Sequence, residues 1–254
     1  MKILRVAGTV IALVLVFISC KKEVSNEGNQ YMIRLKFTPT ANGEPLEFGK
    51  QYLNPLGEDF SISAFKMYIG HISLVEDGTI KVAENREAYY LLNAAEPASF
   101  IVETGLNGRK FTHIGFQIGI DSIYNVSGAQ AGVLDPANGM FWTWSTGYIM
   151  AKLEGNSSYS NEVNNNIVYH IGGFKSSEQS IRQVVLPLPG QQSWALDTNT
   201  ETEIEIKIDI DKWFSSVHQL YIAATPAIMT PGAVSMQYAD NYASLFNTVS
   251  INRY

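Results

Sequence analysis

The sequence predicts an all-β protein, a β-sandwich with long loops and one or two short helices. Three observations predict it. Isoleucine, valine and threonine are frequent in the 254 residues, alongside 13 tyrosines and 12 phenylalanines, and such side chains suit pleated, half-buried strands. Many short segments alternate apolar with polar residues, the period expected of a strand that buries one face. Glycine and asparagine turn signals separate those segments, and a single stretch near the end carries clear helical spacing.

The beginning of the chain reads differently from the rest. Lys2 and Arg5 precede an apolar run at residues 6–18, too short for a comfortable membrane span. The run ends at Ser19-Cys20, followed by Lys21 and Lys22. Residues 1–19 resemble a bacterial lipoprotein signal peptide, cleaved before Cys20, whose thiol and new amino terminus are expected to carry lipid. Residues 20–30 are polar and suit a tether. Residues 31–254 form the domain, long enough to bury a sizeable core. The expected location is the bacterial cell envelope, at the outer membrane, with the membrane as a partner through the anchor. Cys20 is the one cysteine, so disulfides, iron–sulfur clusters and thiolate ligands are not expected in the domain. Net charge is −6, or −8 without residues 1–19, and no basic patch interleaves with aromatics. Nucleic acid is therefore not an expected partner.

Within the domain, Tyr31, Ile33, Leu35 and Phe37 alternate with Arg34 and Lys36 in a half-buried first strand. Breakers Asn42-Gly43, Pro45 and Asn54-Pro55 mark a long loop. Residues 60–75 are apolar on both faces, which predicts a central strand with Phe65, Met67, Ile69, His71 and Val75 on one side and Tyr68, Ile72 and Leu74 on the other. Asp77-Gly78 signals a hairpin into residues 79–82, and residues 88–92 form another short run. Ile114, Phe116, Ile118 and Ile120 alternate with His113, Gly115, Gln117 and Gly119, where the glycines predict a close neighbour or a bulge. Further strands are expected at 167–171 and 183–188. The cleanest alternation sets Ile204, Ile206, Ile208 and Ile210 against Glu203, Glu205, Lys207 and Asp209. Residues 211–214 suit a helical turn capped by Asp209 or Asp211, residues 236–246 a helix, and residues 249–252 a closing strand.

The most informative stretch is residues 134–155. Asp135-Pro136 and Asn138-Gly139 are turn signals, and they deliver Phe141-Trp142-Thr143-Trp144. On spacing alone, the two tryptophans read as anchors of a β core. Asn125-Val-Ser-Gly-Ala-Gln130, the run from Leu134 to Trp144, Gly147-Tyr148, Lys152-Leu-Glu-Gly155, Tyr169-His-Ile-Gly172 and Asp240-Asn-Tyr242 follow one another in the chain. Together they resemble the MbnP-like copper-binding family, in a lipoprotein branch. The resemblance implies an extracytoplasmic copper protein in which histidine nitrogens, and the amino group of a kynurenine made from an oxidised tryptophan, hold the ion. It also implies a di-haem peroxidase-like partner that performs the oxidation.

On that reading His170, in Tyr169-His-Ile-Gly172, is the first candidate metal ligand, with His71 and His113 as further candidates. Trp142 and Trp144 are the candidates for oxidation, since intact indole offers no lone pair to a metal. His218 reads as a surface residue. The loop ahead of the tryptophans carries Ser127-Gly-Ala-Gln130, where metal-binding relatives often carry histidine. No nucleophile elbow, Walker loop, zinc-protease helix or dinucleotide fingerprint occurs, so a non-enzymatic protein is expected. Asp121, Asp135, Glu154, Asp209 and Asp211 read as solvated acids at strand ends. The alternative function is a metal-free surface binding module for a glycan or a protein, using aromatics of the same stretch.

Overall fold

The computed structural model describes residues 31–108, 110–142, 147–175 and 177–254. The expected signal peptide, Cys20, the expected tether and Trp144 therefore lie outside the described residues. Ten strands of six or more residues are described: β1 (Tyr31–Ala41), β2 (Asp59–Glu76), β3 (Ile80–Asn93), β4 (Ile101–Leu106), β5 (His113–Ile118), β6 (Gly147–Asn156), β7 (Asn166–Gly172), β8 (Arg182–Pro187), β9 (Thr202–Asp209) and β10 (Phe246–Arg253). Three α-helices are short: α1 (Ser122–Val126), α2 (Asp211–Phe214) and α3 (Ala233–Ala243). The protein is all-β, as its composition and alternation predict.

The smaller sheet runs β10–β9–β1–β4, with β9 parallel to β1 and the outer strands antiparallel. The larger sheet is built around β2. β3 pairs with it over Lys66–Glu76, β6 over Ser61–Met67 and β5 over Ile69–Val75. β8 extends the sheet beyond β5, and β7 beyond β6. The two sheets close on one core. Ile33, Leu35 and Phe37 from β1 and Ile204, Ile206 and Ile208 from β9 meet Phe65, Met67, Ile69, Ile114, Phe116 and Ile118. Phe116 sits edge-on to Phe37 at 5.9 Å and to Phe246 at 4.9 Å. The isoleucines at 204, 206, 208 and 210 are fully buried, each contributing roughly 1.5–3 kcal/mol over exposure.

The Asp77-Gly78 turn forms with both residues at positive φ, 50° and 74°, the backbone that a two-residue hairpin of matching twist requires. The strand that follows is one long β3 rather than two short runs. Gly115 has the close neighbour predicted for it: a Cβ there would lie 2.6 Å from Ser73 Oγ.

Four local expectations are corrected. β2 does not keep one side-chain parity. A bulge follows Gly70, His71 takes φ 51°, and the register shifts. Phe65, Met67 and Ile69 face the main core before the bulge, and Ile72 and Leu74 face it afterwards. One extra residue in a period-two strand exchanges the faces of everything beyond it. Ile120 likewise leaves the row of Ile114, Phe116 and Ile118, because Gly119 turns at φ 100° and sends it to a second core. α2 carries no side-chain cap; Asp211 instead accepts the Asn42 backbone N–H. α3 ends before Phe246, which opens β10.

Candidate metal centre

The large sheet is covered on both faces. Over its outer face lies a second core of Tyr68, Tyr89, Ile120, Leu134, Met140, Trp142, Tyr148, Ile149 and Met150. Residues 120–142 and 148–150 supply most of it, and buried polar groups lock that cover in place. Asn125 is 1% exposed, accepts the Tyr148 N–H at 2.8 Å and donates to Ile120 O at 3.0 Å. Tyr148 donates to Leu134 O at 2.8 Å, and Tyr68 to Val133 O at 3.0 Å. Asp135 caps the turn after it by accepting the Ala137 N–H. Trp142 is 5% exposed and lies on Gly172, where a Cβ would come within 2.6 Å of the indole. It is thus a core anchor. A cavity of about 230 Å³ opens beside it, walled by Phe174, Lys175, Glu178 and Pro231.

The structure does not bring His170, His71 and His113 together. Each has its own partners, and among the described residues no three of His, Cys, Asp and Glu group to hold a metal ion. His170 on β7 points to the outer face, where Nε2 lies 2.6 Å from Glu154 Oε1 on the neighbouring β6. Lys152 Nζ is 3.5 Å from the same oxygen. The His170 hydrogen bond, helped by Lys152, overcomes burial and draws the Glu154 carboxyl down to about 2. His113 Nδ1 bonds the Thr112 hydroxyl at 2.8 Å, and its ring lies near Gly78 of the hairpin turn. His218 pairs with Asp240 at 3.0 Å, where Arg182 also binds.

His71 stands apart because of the bulge. Its left-handed backbone is uncommon for a non-glycine residue, though histidine is among those enriched there. The turn places its side chain, 12% exposed, between β3 and the start of the cover. Nε2 lies 2.9 Å from Asp121 Oδ2 and 3.2 Å from Tyr89 Oη, and Nδ1 lies 3.6 Å from Glu84 Oε1. Burial acts to raise the Asp121 carboxyl, but hydrogen bonds from Gln117 and Tyr89 and the charge of His71 outweigh it and hold the group low. Burial pushes the Tyr89 phenol up. Glu84 feels burial too, and Lys81 and Arg86 overcome it to keep that carboxyl low.

The donor chemistry separates these places as hosts for the copper that the resemblance implies. At His170 one carboxylate, Glu154, pairs with the imidazole and Lys152 lies beside the same oxygen. At His71 the imidazole is paired as well, with Asp121, but a second oxygen lies close. The carboxylate oxygen of Asp121 and the phenol oxygen of Tyr89 both lie near Nε2, at the hydrogen-bond distances of 2.9 and 3.2 Å. A nitrogen and oxygen set suits copper(II), whereas copper(I) prefers sulfur. Asp121, Tyr89 and Glu84 were not separable in the sequence. They lie from 13 to 50 residues from His71, and the bulge that gathers them has no alternation signal.

The MbnP family profile matches residues 30–230. The chain belongs to the MbnP family. The fold agrees: the solved structure of MbnP from Methylosinus trichosporium aligns with a TM-score of 0.52 at 13% identity, covering 75% of this chain and 79% of that one. A comparison with the curated proteins matched nothing. The family motifs now have physical roles, since Asn125, Leu134, Tyr148 and Gly172 are the residues that lock the cover of this MbnP-family chain onto its sheet.

Proposed function

We propose that this MbnP-family chain is a lipid-anchored, extracytoplasmic copper-binding protein without enzymatic activity, and that it holds the ion at His71 with Asp121 as an oxygen donor. The observation that carries this reading is the approach of Asp121 Oδ2 to His71 Nε2 at 2.9 Å on a bulge in the left-handed region. Backbone strain of this kind costs roughly 1–3 kcal/mol and persists where the surroundings fix it, often at functional sites. The membrane anchor is the lipid on Cys20. The test uses the full chain in detergent with Cys20→Ser, so that chain expressed without the lipid carries no free thiol to compete for copper. Dialysis against copper(II) should leave one ion per chain, and Asp121→Asn should weaken retention by about tenfold or more. An absence of stoichiometric copper would overturn the proposal and favour the metal-free reading, in which the cavity beside Trp142 takes a sugar or a peptide side chain.

A second reading concerns Trp142. Gly172, on which the indole rests, lies two residues from His170 on the same face of β7. Oxidation of Trp142 to kynurenine by a di-haem peroxidase-like partner would place a new amine near that histidine. Intact mass of the protein from its native host decides it: kynurenine adds about 4 mass units to the tryptophan, and an unmodified mass rejects this second reading.

A further inference from the structure

We propose that the end of the sandwich where β1 starts lies against the lipid bilayer, with the tip of the β2–β3 hairpin as its main contact. The inference rests on the lipid-anchor part of the proposed function and is independent of copper. It names the surface that the anchor brings to the membrane. Exposed apolar side chains motivate it. Ile80 and Val82, just past the Asp77-Gly78 turn, are 59% and 37% exposed. Met32, the second residue of β1, is 47% exposed. Apolar side chains held out to solvent beside one another mark contact surfaces for protein or lipid.

Strand pairing places these side chains at one end of the molecule. Tyr31 and Met32 pair with Leu106 and Gly105 of β4. Gly105 and Leu106 wall a surface depression together with Val82 and Arg86. A Cβ on Gly108 would lie 3.6 Å from Val82 Cγ2. The start of β1 and the hairpin tip are therefore neighbours. The far end of β1 belongs to the far end of β2. Asn42, just past β1, donates through Nδ2 to Leu53 O at 2.7 Å and accepts the Leu53 N–H at 3.0 Å. Leu53 in turn pairs with Asp59, the first residue of β2. Ser158 also binds Asp59 there, so the turns at 157–165 mark that far end.

The length of chain before β1 selects the end that meets the bilayer. Ten residues, 21–30, separate Cys20 from Tyr31, and a segment of that length reaches at most about 35 Å. β1 has 11 residues, a run of about 36 Å. Resting the far end on the bilayer would demand a fully stretched tether, whereas resting the near end demands none. Charge agrees with that choice. Residues 76–86 and 105–110 carry four cations against three acids, in a chain of net charge −8 beyond residue 19. Anionic headgroups are therefore not repelled at this end. Lys81 and Arg86 both pair with Glu84 beside the apolar tip, and their long stems can lie along lipid while the charges stay at the headgroups.

The experiment reconstitutes the acylated full chain in vesicles of phosphatidylethanolamine and phosphatidylglycerol. Cys20 is the one cysteine, and acylation consumes its thiol. Ile80→Cys and, separately, Val163→Cys therefore each take a single environment-sensitive fluorescent label. Val163 is 77% exposed and reports on the far end. Emission is read with and without lipids brominated in their acyl chains. The expected result is a blue shift and bromine quenching for the label at position 80, and neither for the label at position 163. An equal response at both positions, or no quenching at position 80 in chains that float with the vesicles, overturns the inference and leaves the anchor standing. Chains that fail to float overturn the anchor and the inference together.

Discussion

At the scale of single residues, backbone geometry decides most of what can be substituted. His71 occupies a left-handed conformation, φ 51°, that asparagine tolerates well and β-branched residues do not. His71→Asn should therefore fold with stability within about 1 kcal/mol of the parent, whereas His71→Val should lose roughly 1–3 kcal/mol. Chemical denaturation of the two variants checks this, and equal losses would show that the bulge is not strained. Gly172 has a different constraint. Its added methyl would meet the Trp142 indole at 2.6 Å and Tyr148 O at 2.7 Å. Gly172→Ala should cost about 1–3 kcal/mol through overpacking and disturb the near-ultraviolet signal of Trp142. An unchanged melting temperature would mean that the indole moves freely.

At the scale of elements, two carboxylates act as fasteners: Glu58, which is buried, and Glu154, which is partly exposed and which the sequence places among solvated acids at strand ends. Glu58 is 3% exposed and, among the described residues, forms no salt bridge; it accepts the backbone N–H groups of Ile222 at 2.7 Å and Ala223 at 2.9 Å and the Asn54 amide at 3.1 Å. It ties the irregular segment after α2 to the start of β2. Glu58→Gln turns one acceptor into a donor facing donors and should cost about 1–3 kcal/mol, read as a lower denaturant midpoint. Glu154 joins β6 to β7 through His170, and its folded value of about 2 lies below the ordinary carboxyl range. A lowered folded value means that its stabilisation is complete above about pH 4.5 and is lost as pH falls toward 2. The stability gap between the parent and Glu154→Gln should therefore be largest near neutral pH and shrink by pH 3. A gap that does not change with pH would remove the ion pair from the account.

The same scale shows what the sequence makes legible. Strands with one wet face are plain, because alternation records them: Ile204, Ile206 and Ile208 read directly, as does the Asp77-Gly78 turn. The bulge at His71 is not plain, because β2 is apolar on both faces and a change of parity leaves the pattern looking the same. α1 is hidden as well. It has five residues, too few to display a helical period. Trp142 reads correctly as a core anchor, but the sequence does not say that its core is a second one.

At the scale of the whole molecule, β2 is the shared wall. One of its faces closes the main core against the small sheet, and the other carries Tyr68 beneath the cover formed by residues 120–142 and 148–150. The bulge lies on this wall, where β3 and the start of the cover meet. That position brings Asp121, Tyr89 and Glu84 around His71, whereas His113, His170 and His218 pair elsewhere. The family resemblance points first to His170, and the proposed copper site is at His71. Copper content of the purified full chain with Cys20→Ser, compared with His71→Asn and His170→Ala in the same background, separates them most directly. The account predicts one copper per chain in the parent and in His170→Ala, and none in His71→Asn. Full copper retention in His71→Asn, with loss in His170→Ala, would contradict it.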